Sequence, residues 1–258
     1  LWAGQSITFF GSQVAFLAFP LVASLSLGAT PLQLGLLAAL GALPGLLGLV
    51  AGGRIERLPR RRLLVGASLA RGLLLLAIPA AAVAGALRIE LLYLVALLGG
   101  ALALLADVGA QALLPELVAP DELVAANSRL ELSRAGAELA GPAVAGALLQ
   151  FLAAPLVLVV DALGYLVSAA LLAGVEAPQA PPPPAPEGFW RELSAGLATV
   201  WGSPALRWLL GCAVTVSLFN ASLEAALFIY VPRELGVPPG LLGLIFALGS
   251  LGALLGAA

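Results

Sequence analysis

The 258-residue chain contains no His, no Lys and no Met, and it has a single Cys. Without His, the commonest general base and metal ligand is missing. Without Lys, there is no P-loop lysine, no Schiff-base lysine and no Ser-x-x-Lys pair. The lack of Met removes the natural start residue, so the chain is expected to be a fragment at its N-terminus. Cys212 has no partner for an internal disulfide, and its apolar surroundings predict a small core residue. Charge is scarce as well: 10% of residues are charged, against roughly 25% in a soluble domain. In their place stand 61% apolar residues and a mean hydropathy of +1.08. This is the composition of an integral membrane protein. Its long apolar runs predict an all-α membrane protein rather than a β-barrel of ~10-residue alternating strands. No composition or motif points to nucleic acid, a metal or a cofactor.

Apolar runs long enough to cross a bilayer place eight spans at about 1–27, 31–52, 63–87, 91–114, 134–152, 155–175, 205–231 and from 239 to the last residue. A longer polar stretch, 115–133, separates spans 4 and 5. Residues 176–188 are proline-rich, cannot form a helix and read as an extended cytoplasmic linker. Beyond it, Trp190, Leu193, Leu197, Val200 and Trp201 recur at helical spacing, which predicts an amphipathic interfacial helix over 189–203. The expected organisation is a six-helix half, 1–175, then linker, interfacial helix and the start of a second half, 204–258.

Span 2 is studded with Gly35, Gly41, Gly45, Gly48 and Gly52 and runs into a short turn holding Arg54, Arg57, Arg60, Arg61 and Arg62. Arginine-rich short loops resist translocation. With that hairpin inside, nine arginines are cytoplasmic, the five above with Arg129, Arg134, Arg191 and Arg207, against two outside, Arg88 and Arg233. The expected topology therefore has a cytoplasmic N-terminus. A shift of 208 residues lays 27–48 on 235–256 with 13 of 22 positions identical, including Gly28/Gly236, Pro31/Pro239 and Gly35/Gly243. Span 2 thus recurs six helices later in the same orientation, the plan of parallel six-helix repeats. The second arginine hairpin would fall just past residue 258, so four further spans are expected to be missing.

Three stretches carry a resemblance. Gly52-x-x-x-Glu56-Arg57-x-Pro59-Arg60-Arg61 resembles the loop 2–3 motif Gly-x-x-x-Asp-Arg-x-Gly-Arg-Arg of the major facilitator superfamily, with Glu for Asp and Pro for Gly. Ala137 to Gly146, with Gly141-Pro142 at its centre, resembles the span 5 antiporter motif Gly-x-x-x-Gly-Pro-x-x-Gly-Gly, with two glycines replaced by Ala. Leu114-Pro115-Glu116-Leu117-Val118 through Ala126-Asn127-Ser128-Arg129 resembles loop 4–5 of the bacterial drug- and siderophore-exporter branch, of the enterobactin-exporter kind. The resemblance implies a major facilitator-type helical bundle, here the N-terminal six-helix half plus the first two helices of the second. It also implies a monomeric transporter in the bacterial inner membrane that exchanges small molecules for protons by alternating access. Such a fragment is expected not to transport by itself.

Each charge inside a membrane is a functional candidate because it is costly to place there. Asp107, Glu138 and Arg71 fall at similar depth in the cytoplasmic half and are the candidates for proton coupling or charge relay. Asp161, in span 6, is expected to pack or cap. Gly52, Glu56, Arg57, Arg60 and Arg61 form the expected gate, in which arginine forks pair with carboxylates or with carbonyls at a helix C-terminus; the bland alternative is a topology anchor. Gly141, Pro142 and Gly146 predict a bend or a tight seam. The cavity implied by the resemblance is lined from spans 1, 4 and 7, with candidates Phe9, Gln13, Phe16, Gln111, Asn220 and Glu224. An importer or uniporter of the same fold is the nearest alternative, and a receptor or scaffold that does not transport is a remote one. An intramembrane enzyme is disfavoured, since no Gly-x-Ser-x-Gly and no aspartyl-protease pattern is present.

Overall fold

The computed structural model describes residues 1–55, 60–174, 198–238, 241, 243–246, 248 and 249, with the side chains of 46–55, 60, 224, 225, 229, 232 and 233 outside that description. The described residues form helices and no strands. In lipid, a spanning segment must satisfy its own backbone groups, and a helix does so within itself. Seven long helices follow in order among the described residues: α1 Trp2–Leu21, α2 Pro31–Ile55, α3 Arg60–Val83, α4 Ile89–Leu117, α5 Leu123–Phe151, α6 Ala154–Ala173 and α7 Pro204–Arg233. The described residues of span 8 are helical too. Residues 175–197, where the proline-rich linker and most of the interfacial helix are expected, lie outside the described residues.

The turn into α2 shows how local chemistry sets an element. A π-helical turn, Val22–Ser26, ends α1. Gly28 takes φ 62°, open to glycine because it has no Cβ, and the Ala29 N–H donates back to the Ala23 carbonyl at 2.9 Å. Thr30 and Gln33 then form a reciprocal capping box, Thr30 N–H to Gln33 Oε1 at 2.8 Å and Gln33 N–H to Thr30 Oγ1 at 3.3 Å. Pro31 occupies the first helical position, where its missing N–H is harmless. The internal repeat is realised at the same register. Gly236 has φ 63°, and the Val237 N–H donates to the Val231 carbonyl at 3.2 Å.

Span 5 differs from its sequence reading. The polar stretch is not a long loop: α4 continues to Leu117, and α5 begins at Leu123. Hydropathy marks where a helix meets lipid, not where the helix ends, and no Gly or Pro lies between 123 and 135 to stop it. Asn127, Ser128 and Ser133 side chains bond to carbonyls four residues back, a geometry compatible with continuing the helix. Arg134 and Glu138 therefore sit well inside a 29-residue helix.

α1 packs between α5 and α6; α3 packs against α4 and α6, and α2 against α4. Small residues let the backbones meet: a Cβ on Gly100 of α4 would run into the Gly41 carbonyl of α2. The main core joins Val14, Leu17 and Leu21 of α1 to Ile78, Leu92 and Leu158. α6 turns Leu156, Leu163, Val167 and Leu171 outward and buries Val157, Leu158, Asp161, Tyr165 and Leu172. α7 is exposed on all sides from Pro204 to Leu223, and Cys212 is exposed with it rather than in the core. At its far end, Phe228 meets Phe16 of α1 edge-on at 5.9 Å and stacks on Phe246 of span 8 at 5.6 Å.

Candidate functional site: a polar centre beside an apolar cavity

One face of α1 carries Gln5, Thr8, Phe9, Ser12 and Gln13, spaced by three and four residues, so a polar stripe runs down an otherwise apolar span. That stripe faces Ser68 and Arg71 of α3, Asp107 of α4, Arg134 and Glu138 of α5 and Tyr165 of α6 around a cavity of ≈ 220 Å³. Five helices line this space, and three of them, α3, α4 and α5, deliver two arginines and two carboxylates to it. Three of these four charges, Arg71, Asp107 and Glu138, are those singled out from the sequence.

The contacts are specific. The Arg71 guanidinium carbon lies 4.5 Å from the centroid of the Tyr165 ring. Tyr165 is 1% exposed, and its hydroxyl is 2.7 Å from Ser12 Oγ, a hydrogen bond that either can donate. Arg134 lies 4.9 Å from the Phe9 ring centroid. Asp107 has Arg71 and Arg134 as charged neighbours. Aromatic faces hold cations by their quadrupole more strongly when water is excluded.

A second cavity, ≈ 460 Å³, adjoins the first and is mostly apolar, with Phe16, Phe19, Leu34, Leu37 and Phe228 in its wall. Ser12 and Arg71 line both cavities. Asp161 also lines the larger one. Its side chain is 1% exposed, and neither carboxylate oxygen has a hydrogen-bond partner among the described residues. Among the remaining candidates for the cavity, Phe16 lines the apolar space and Phe9 and Gln13 the polar one, whereas Gln111 and Asn220 are exposed. The side chain of Glu224 lies outside the described residues.

The span 5 motif sits at two helix contacts. α5 passes through Pro142 as continuous helix. A Cβ on Gly141 would collide with Gln13 of α1, and one on Gly243 of span 8 would collide with the Pro142 carbonyl and approach Gly146. In the hairpin, Gly52 lies in the last turn of α2. Glu56 and Arg57 lie outside the described residues, as does the Arg60 side chain. Arg61 donates from Nε to the Leu172 carbonyl at 3.4 Å and from Nη2 to the Ala173 carbonyl. It therefore caps the C-terminus of α6, where helix carbonyls lack partners and the dipole favours a cation.

Sequence reasoning missed Arg134, Tyr165 and the inward placement of Asp161. The signals were present: an i, i+4 pair in Arg134/Glu138, another in Asp161/Tyr165, and the helical spacing of the α1 polar residues.

A bundle of apolar helices that gathers charged side chains beside an apolar cavity suits a membrane transporter. The family model of the Major Facilitator Superfamily matches residues 1–258, and the chain belongs to that superfamily. It is a multi-pass membrane protein, a secondary transporter working in a lipid bilayer on small-molecule substrates. No curated protein matches the chain.

Proposed function

We propose that the protein exports hydrophobic drugs or siderophore-like small molecules in exchange for protons, by alternating access of two six-helix halves. The observation that carries this reading is the adjacency of the two cavities. A bulky apolar solute suits the ≈ 460 Å³ space, and Arg71, which lines both, can report its occupancy to the charges around the ≈ 220 Å³ space. Asp107 and Glu138 are then the candidate proton carriers and Arg71 the charge relay, since an intramembrane carboxylate beside arginines is stabilised when ionised and released when protonated.

In this reading Gly52, Glu56, Arg57, Arg60 and Arg61 gate the cytoplasmic side, and the seam at Gly141, Pro142 and Gly146 limits leak between the halves. Phe9, Gln13, Phe16, Gln111, Asn220 and Glu224 contact substrate as the halves rock. The protein acts as a monomer in the bacterial inner membrane with its N-terminus in the cytoplasm, as the arginine distribution favours.

The test follows a pH-gradient dye in inverted membrane vesicles containing the full-length protein, while hydrophobic drugs and a catecholate siderophore are added, with Asp107→Asn and Glu138→Gln alongside. Substrate-triggered proton release from the lumen, lost in one variant, is the expected result. Substrate movement with no proton signal would replace exchange by uniport and make both carboxylates structural.

A further inference from the structure

Asp161 stands apart from the other intramembrane acids. It sits on the inward face of α6, one turn before Tyr165, and is 1% exposed. Both its oxygens lack a hydrogen-bond partner among the described residues. Gly11 of α1 is shaped to receive it: a Cβ there would lie 2.7 Å from Asp161 Oδ1 and 3.1 Å from its Cα. An ionised carboxylate sealed in this way, with no donor on either oxygen, is strongly disfavoured, whereas the neutral acid is tolerated. Both oxygens are closed to anything of water size, which excludes a substrate amine as the usual partner and leaves a proton.

The charged and titratable groups around it are few among the described residues. α1 supplies none, for Trp2–Leu21 has no ionisable side chain. α3 supplies Arg71, the cation that acts on Asp161. Tyr165 lies on its own helix, and Asp107, Arg134 and Glu138 of α4 and α5 line the neighbouring polar cavity. Arg71 is held away on the ring of Tyr165, yet it shares the wall of the apolar cavity with Asp161.

We propose that Asp161 is a proton-binding site, neutral while Arg71 rests on Tyr165 and ionised when Arg71 leaves that ring to pair with it. The balance is simple: as Arg71 swings onto Asp161, one proton passes from the carboxyl to water in the polar cavity that Arg71 also lines, so the buried charge is never unpaired. Because Asp161 is pressed on Gly11, the exchange acts on α1, whose opposite contact is Gly141 of α5. The inference rests on the proton-exchange reading for its consequence in transport, but not for the existence of the site.

The test therefore has two arms. Infrared difference spectroscopy of the purified protein, titrated in pH, should show the stretch of a protonated buried carboxyl that is absent in Asp161→Asn and persists in Asp107→Asn and Glu138→Gln. Asn mimics the neutral acid in size, so the variant should elute as a monodisperse species. In Arg71→Gln, which keeps Asp161 but removes its cation, the band should survive to higher pH. In the vesicle assay, Asp161→Asn should lose substrate-triggered proton release altogether. A band that remains in Asp161→Asn, or that does not respond to Arg71→Gln, would overturn the site. Proton release by Asp161→Asn equal to that of the unmodified protein would overturn its part in coupling. If the unmodified protein itself releases no protons, the exchange reading fails while the spectroscopic arm still decides the site.

Discussion

Arg71 of α3 rests on the ring of Tyr165 of α6, 4.5 Å from guanidinium carbon to centroid, and the same tyrosine holds Ser12 of α1 at 2.7 Å. One side chain thus ties three helices. Tyr165→Phe keeps the ring and loses the hydroxyl, so unfolding stability in detergent should fall by about 1 kcal/mol. Tyr165→Ala removes a buried aromatic and should cost about 3 kcal/mol or more. Equal losses in the two variants would mean that the hydrogen bond, not the ring, joins the helices.

The crossing of α2 and α4 depends on Gly100. A side chain there meets the Gly41 carbonyl, which is backbone and cannot turn aside. Gly100→Val is expected to lower stability by about 1–3 kcal/mol. A Cβ added at Gly66 would meet nothing within 4 Å, so Gly66→Ala should be neutral or slightly stabilising in its helix. Thermal unfolding of the two variants side by side measures the difference.

Arg61 caps α6 through the carbonyls of Leu172 and Ala173. Arg61→Ala should destabilise by about 1 kcal/mol, because the contact is partly solvated. The more telling readout is amide exchange, which should quicken in the last turn of α6 and remain slow near Asp161. Arg61→Lys should restore only part of the protection, since an ammonium lacks the fork that reaches two carbonyls. Unchanged exchange in Arg61→Ala would assign the residue to topology alone.

The contact of α5 with span 8 leaves no room at Gly243. Gly243→Val should separate span 8 from Pro142 and Gly146 and cut transport by the full-length protein in vesicles about tenfold, the effect of a barrier raised by roughly 1.4 kcal/mol. Gly249, where a Cβ would meet nothing within 4 Å, supplies the control: Gly249→Ala should transport normally. Full transport by Gly243→Val would show that the seam opens without consequence.

Much of the architecture was legible in the chain itself. Twenty-residue apolar runs can satisfy their backbone in lipid only as helices, so an all-helical fold follows from the apolar runs. The repeat of Gly28 at Gly236 was legible as sequence, and the structure gives both glycines the same positive φ. Arg71, Asp107 and Glu138 stood out because charge is rare in such runs. The start of α5 was not legible, since leaving the apolar zone and leaving the helix are different events. Which helices meet was not legible either. Packing between apolar helices is decided by small residues and shape, and those residues are spread along every span of this chain. Only the tertiary structure brings Gly11 to Asp161, Arg71 to Tyr165 and Arg61 to the end of α6, because each pairing joins helices far apart in sequence through a fit that no periodicity encodes.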